Sequence, residues 1–190
     1  SGGVWDRVRA VQDFDAAIAA GDPGAVARTL PIVWERMKGV ELEVPFATLY
    51  GGVLSRLALD GAAGEIAFEV GLLSPDYEAV ARTHKPHDGT EAFLAALAQG
   101  RPSGVTPPDQ LGAALAAAFA PDVALPDDQA QRLAEHRAGE AILQAIDEVT
   151  RGATGDLRDV TAGLAVFRKV GLESTACRAA LELMLLERRG

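Results

Sequence analysis

The stretch from Val170 to Gly190 limits what this chain can fold into more than any other. Cys177, Ala180, Leu181, Met184 and Leu185 recur at helical spacing, and Ala176, Leu183 and Leu186 widen the apolar stripe. Only Thr175, Arg178 and Glu182 form a polar seam. A helix that is apolar over most of its circumference has to be enclosed by other helices. This one is therefore expected to be the hub of an all-α fold, its most enclosed member.

The rest of the chain repeats the same period with clear punctuation. Val4, Val8, Val11 and Ile18 mark the inner side of a first helix that stops at Gly21, after which Asp22 caps a second helix with Pro23 at its first position. Val26, Leu30, Val33, Trp34 and Met37 face inward there, and Pro31 predicts a kink. A third stripe holds Phe46, Leu49, Tyr50, Val53, Leu54 and Leu57. Gly51-Gly52 lies inside it, costing roughly 1 kcal/mol per glycine in helix propensity. A closely approaching helix accounts for that pair, and a bound apolar ligand is the other reading.

Further helices follow at 62–70, between Ser74 and Pro86, and from Thr90 to Gly100. Thr106-Pro107 predicts the start of the next, with Leu111, Leu115 and Phe119 inward. One long pattern, Ala130 to Val149, reads as a single helix bent at Gly139. Asp156 or Thr154 caps a helix that ends at Gly171, and the hub follows. The sum is about ten helices joined by short turns, as stacked antiparallel hairpins forming a superhelix or an irregular bundle. Gly100 to Thr106 is the linker candidate, dividing one continuous domain into halves at 4–99 and 107–190.

Two corners share Val-Gly-Leu-x-Ser, at Val70–Ser74 and Val170–Ser174. Each is expected to end a helix on a left-handed glycine and cap the next with serine, which would be the trace of an internal duplication. A third corner, Ala19-Ala20-Gly21-Asp22-Pro23-Gly24-Ala25, resembles the helix-to-helix turn of tetratricopeptide-like repeat proteins. The resemblance covers about twenty residues and lacks that family's Trp-x-x-Leu-Gly-x-x-Tyr. It implies an array of helical hairpins that binds peptides or proteins on a concave face.

Composition narrows the function classes. A net charge of −9 disfavours a nucleic-acid surface, and Glu187-Arg188-Arg189 is too short to form a basic patch. No run reaches the roughly 18 apolar residues of a membrane span. Cys177 is the only cysteine, so no internal disulfide exists, and it reads as a small apolar filler. Aromatic residues make up only 5%, which points to closely packed thin helices. The dominance of Arg over Lys, with abundant Ala and Gly, suggests a GC-rich bacterial source. Ser1-Gly2-Gly3 looks like a residual cloning scar, so a mature form or a piece of a longer protein is expected and the compartment stays open between cytoplasm and periplasm.

Catalytic chemistry has little to stand on. His84, His87 and Asp88 place two imidazoles and a carboxylate within five residues. They could hold zinc only with a fourth group from elsewhere, and a solvated loop is the simpler reading. His136 lies one turn from Glu140 and beside Glu135, which could orient a base but more often makes a surface pair. No nucleotide loop and no metalloprotease motif occurs. No catalytic, cofactor or metal residue is therefore assigned, and no cofactor is expected. The preferred reading is a non-catalytic protein-interaction or scaffold domain. The alternatives are an enzyme using the His84/His87 or His136 region, and a binder of small apolar ligands beside Gly51-Gly52. Trp5 and Trp34 are expected to pack in the core, and exposure of both on one surface would mark a partner or carbohydrate contact.

Overall fold

The structure, a computed structural model, describes residues 2–186. Among the described residues it contains eleven α-helices and no strand. Glu187, Arg188 and Arg189 lie outside that range. The chain forms two compact units, one ending at Thr83 and the other beginning at His84. The division does not fall in Gly100–Thr106, which belongs wholly to the second unit.

The first unit holds α1 (Gly2–Ala20), α2 (Pro23–Lys38), α3 (Glu43–Leu54), α4 (Gly61–Leu72) and α5 (Tyr77–Thr83). The α1–α2 corner forms as its residues dictate. Gly21 takes a left-handed φ of 64°, and the Asp22 carboxylate accepts from the N–H groups of Gly24 and Ala25. The core is more aromatic than the composition suggests. Phe14, Trp34, Phe46 and Tyr50 pack ring against ring, with Phe14 and Tyr50 edge-on at 5.1 Å and Trp34 and Phe46 at 5.8 Å.

That cluster decides which way α1 and α3 turn. The buried residues of α1 are Ala10, Phe14 and Ala17, not the valine stripe, and Val4 and Val8 face solvent. On α3, Phe46, Ala47, Gly51 and Leu54 are buried, while Leu49 and Val53 point outward. Gly51 does mark a close approach. A Cβ there would sit 2.3 Å from Ser74 Cβ and 3.2 Å from the Val70 carbonyl oxygen, so Ser74 fills the place an apolar ligand would need.

The second unit holds α6 (Gly89–Ala98), a 3₁₀ turn (Pro102–Gly104), α7 (Gln110–Ala118), α8 (Asp127–Ala134), α9 (Ala138–Gly152), α10 (Leu157–Lys169) and α11 (Glu173–Leu185). Its hub is α10, not α11. Val160, Gly163, Leu164, Ala165, Val166 and Phe167 are all buried as α10 packs on α7, α9 and α11. On α11 only Ala176, Cys177, Ala180 and Leu181 are buried, and Leu183 to Leu186 are half-covered. The α9–α10 contact is the tightest in the unit. A Cβ on Gly163 would lie 2.6 Å from the Ala145 carbonyl oxygen, and one on Gly152 would lie 2.7 Å from the Val160 backbone nitrogen.

Three expected boundaries shift. α7 starts after Pro107-Pro108, capped by Asp109, whose side chain accepts from the Gly112 N–H at 2.7 Å. Pro108 pushes the preceding residue out of helical geometry, so Thr106 cannot serve as the cap. The long pattern from Ala130 breaks at 135–137 into α8 and α9, with His136 at a left-handed φ of 59°. The two Val-Gly-Leu-x-Ser corners also differ. Gly171 ends α10 at φ 84°, and the Leu172 N–H returns to the Phe167 carbonyl at 2.8 Å. Gly71 instead lies within α4, where a Cβ would meet Val80 Cγ1 at 2.8 Å, so it admits α5 rather than turning the chain.

Candidate functional site

Among the described residues, two features invite a functional reading. The first is the outer face of α1. Nine positions separate Trp5 from Phe14, which at about 100° per residue sets their side chains on opposite sides of the helix. With Phe14 anchored in the aromatic cluster, Trp5 is left 72% exposed, flanked by Val4 at 54% and Val8 at 40%. Trp34, by contrast, is a core residue at 3%. A largely exposed tryptophan beside two exposed valines is unusual for a surface helix, since tryptophan is highly buried on average.

The second is a cluster at the start of the second unit, built by the local rules of helix initiation. Pro86 keeps 84–88 out of a helix, and Asp88 in extended geometry becomes the N-cap of α6. Its carboxylate accepts from the Glu91 N–H at 2.8 Å, so Asp88 is spent on the cap and is not among the converging groups. Glu91 takes the third place instead. Its Oε2 accepts from the His87 backbone N–H at 2.8 Å, from the His84 ring at Nε2 (2.8 Å) and from the His87 ring at Nδ1 (3.1 Å). A carboxylate only accepts, so these ring nitrogens carry the protons.

The sequence held the signal for Glu91: Asp88-x-x-Glu91 is the spacing of a capping box, whose acid folds back over the helix start. Glu91 and His84 are largely covered, with side chains 13% and 18% exposed, whereas the His87 ring is 81% exposed. Burial pushes the Glu91 carboxyl up, but the His87 N–H and the two imidazoles more than offset it and hold it below the usual carboxylate value. One ligand atom from each of His84, His87 and Glu91 lies within 4.8 Å of the others.

The remaining candidates are committed elsewhere. His136 is exposed at the α8–α9 turn, and Glu140, its expected partner, is gripped by Arg137 Nε at 2.8 Å. Cys177 is buried. A cavity of about 150 Å³ beside Ala120 and Leu125 is lined by Arg168, but that guanidinium already donates to the Ala118 carbonyl, pairs with Glu173 and lies over the Phe119 ring.

Sequence reasoning gave no warning of a buried clasp between α8 and α9. Gln129 Nε2 donates to both Glu148 oxygens at 3.2 and 3.3 Å, and Gln144 donates to Glu148 at 2.7 Å. These bonds satisfy the carboxylate of a 6%-exposed residue and tie the two helices together.

Among the described residues no helix is long and apolar enough to cross a membrane. Compared with protein-family models, curated proteins and solved structures, the chain matches none.

Proposed function

We propose that this chain is a non-catalytic protein-interaction domain of bacterial origin, and that its contact surface is the Val4–Trp5–Val8 face of α1. The observation that carries the reading is the exposed Trp5, turned to solvent because Phe14 holds the opposite face of the same helix in the core. Tryptophan in this setting is the residue type that most often dominates the energy of a protein interface. Asp6, Arg7 and Arg9 are interleaved with these apolar residues, so complementary charge on the partner would speed encounter and suppress wrong pairings.

The test compares the parent chain with Trp5→Asp and Val8→Asp as baits, after circular dichroism shows that all three share one helical content. A partner that binds the parent and is lost from both variants, with affinity falling as salt rises, supports the proposal. A partner retained by Trp5→Asp at parental affinity overturns it. So does the absence of any stoichiometric partner for the parent.

A further inference from the structure

The His84, His87 and Glu91 cluster does more than start a helix. The geometry points to a divalent zinc site, with His84 Nε2, His87 Nδ1 and a Glu91 carboxylate oxygen as its three protein ligands and a fourth position open to solvent. Ligand atoms around a tetrahedral zinc stand about 3.3 Å apart, given metal–nitrogen and metal–oxygen bonds near 2.0 Å. The ring nitrogens already lie 2.8 and 3.1 Å from Glu91 Oε2, and all three ligand atoms fall within 4.8 Å. To hold the ion, each ring draws back a few tenths of an ångström from Oε2, and the two histidine nitrogens close from within 4.8 Å of each other to about 3.3 Å, a movement the exposed His87 ring can make.

The donor set selects the cation. Two imidazoles and one carboxylate suit zinc and its neighbours in the transition series, while calcium and magnesium require six or more oxygens that this corner does not supply. Zinc would stand where the two ring protons now stand. Each neutral imidazole keeps one proton, shifted from the ligating nitrogen to the other ring nitrogen, so the exchange balances without acid or base from outside.

The frame is held before the metal arrives. Asp88 fixes the first turn of α6 through the Glu91 N–H, and Glu91 in turn holds the His87 backbone N–H. All three hydrogen bonds received by Glu91 fall on Oε2, so the oxygen that both rings already face, and that would ligate, is held in place by the His87 backbone N–H. Two ligands are anchored by burial, and the third, His87, is at the surface, where its ring can swing onto the ion. An open coordination position on that side would admit water or a donor atom of another molecule.

The experiment uses the full chain purified without a histidine tag and stripped with a chelator. Zinc chloride is titrated calorimetrically and against a chelating dye at pH 7.5, with calcium and magnesium as comparison ions. The expected result is one zinc per chain, no measurable calcium or magnesium binding, at least about tenfold weaker zinc binding in His87→Ala, and loss of binding in the His84→Ala/His87→Ala double variant. The exposed His87 ring makes His87→Ala safe for folding, and its imidazole nitrogen resonances should show zinc on Nδ1. Zinc binding of unchanged strength in the double variant would place the ion elsewhere and overturn the assignment. Failure of the parent to bind zinc more tightly than the double variant would overturn it equally.

Discussion

Replacing Gly163 by alanine tests the α9–α10 contact directly. In an exposed helix the change would be favourable by roughly 1 kcal/mol, because alanine surrenders less backbone entropy. Here the new methyl would sit 2.6 Å from the Ala145 carbonyl oxygen and 2.7 Å from Val149 Cγ2. Neither neighbour yields easily, since one is helix backbone and the other a β-branched side chain with one favoured rotamer. Relief requires the helices to part by about 0.7 Å, and a gap of that order forfeits a quarter to a half of each dispersion contact across the face. Overpacking of this kind costs about 1–3 kcal/mol, so after the propensity gain the net effect is a loss of up to about 2 kcal/mol. The control is Gly139→Ala on the first turn of α9, where a Cβ meets nothing within 4 Å. That variant should gain up to about 1 kcal/mol. Urea unfolding followed by circular dichroism compares the two within one unit, and for a domain near 100 residues each kcal/mol is worth roughly 4 °C in Tm. A Gly163→Ala midpoint at or above the parent's would refute the reasoning.

Three further outcomes follow from the packing and the charges. Leu181→Asp should unfold the second unit by burying a charge at a 1%-exposed position, while Met184→Asp, at a half-covered one, should cost markedly less. Equal melting losses in the two variants would restore α11 as the hub. In tryptophan fluorescence, Trp5→Phe should leave blue-shifted emission resistant to iodide, and Trp34→Phe red-shifted emission that iodide quenches, because only Trp5 is exposed. Similar quenching in both would contradict the orientation of α1. The lowered Glu91 pKa adds stability that is complete above its ordinary value of 4.5 and is lost as the pH falls through the lower folded value. The stability gap between the parent and Glu91→Gln should therefore close below pH 4.5, and a gap that stays constant down to pH 3 would refute the assignment.

Helix ends were legible in the sequence because capping is local chemistry. Asp22, Asp156, Gly21, Gly100 and Gly171 all perform the roles their neighbours imply. Helix faces were less legible. On α1, apolar residues occupy two sides, so periodicity alone cannot choose between the Val4/Val8 face and the Phe14 face. The choice is made by Phe46 and Tyr50, more than thirty residues away. The break at His136 was hidden because nothing in Glu135-His136-Arg137 carries the glycine that usually marks a left-handed residue. At the candidate zinc site, His84 and His87 could be read from their proximity. Asp88 drew attention as the adjacent acid, whereas folding gives that acid to the cap and brings Glu91 round by one helical turn. The Gln129–Glu148 clasp left no pattern at all, since a buried amide paired with a carboxylate has the same composition as two residues in solvent.

The aromatic cluster also imposes an order of events on a chain made from its N-terminus. Once the stretch through Lys38 has emerged, at a typical synthesis rate of some 5–20 residues per second, α1 and α2 can pair across the Gly21 corner. Phe14 and Trp34 then remain uncovered, because their ring partner Phe46 has yet to appear. The nascent hairpin thus carries apolar rings on its inner side as well as Trp5 on its outer side until α3 docks. Chains arrested before Glu43 are expected to be sticky and readily cleaved by proteases, and chains arrested past Leu54 to be far less so, a contrast that stalled ribosome complexes can measure.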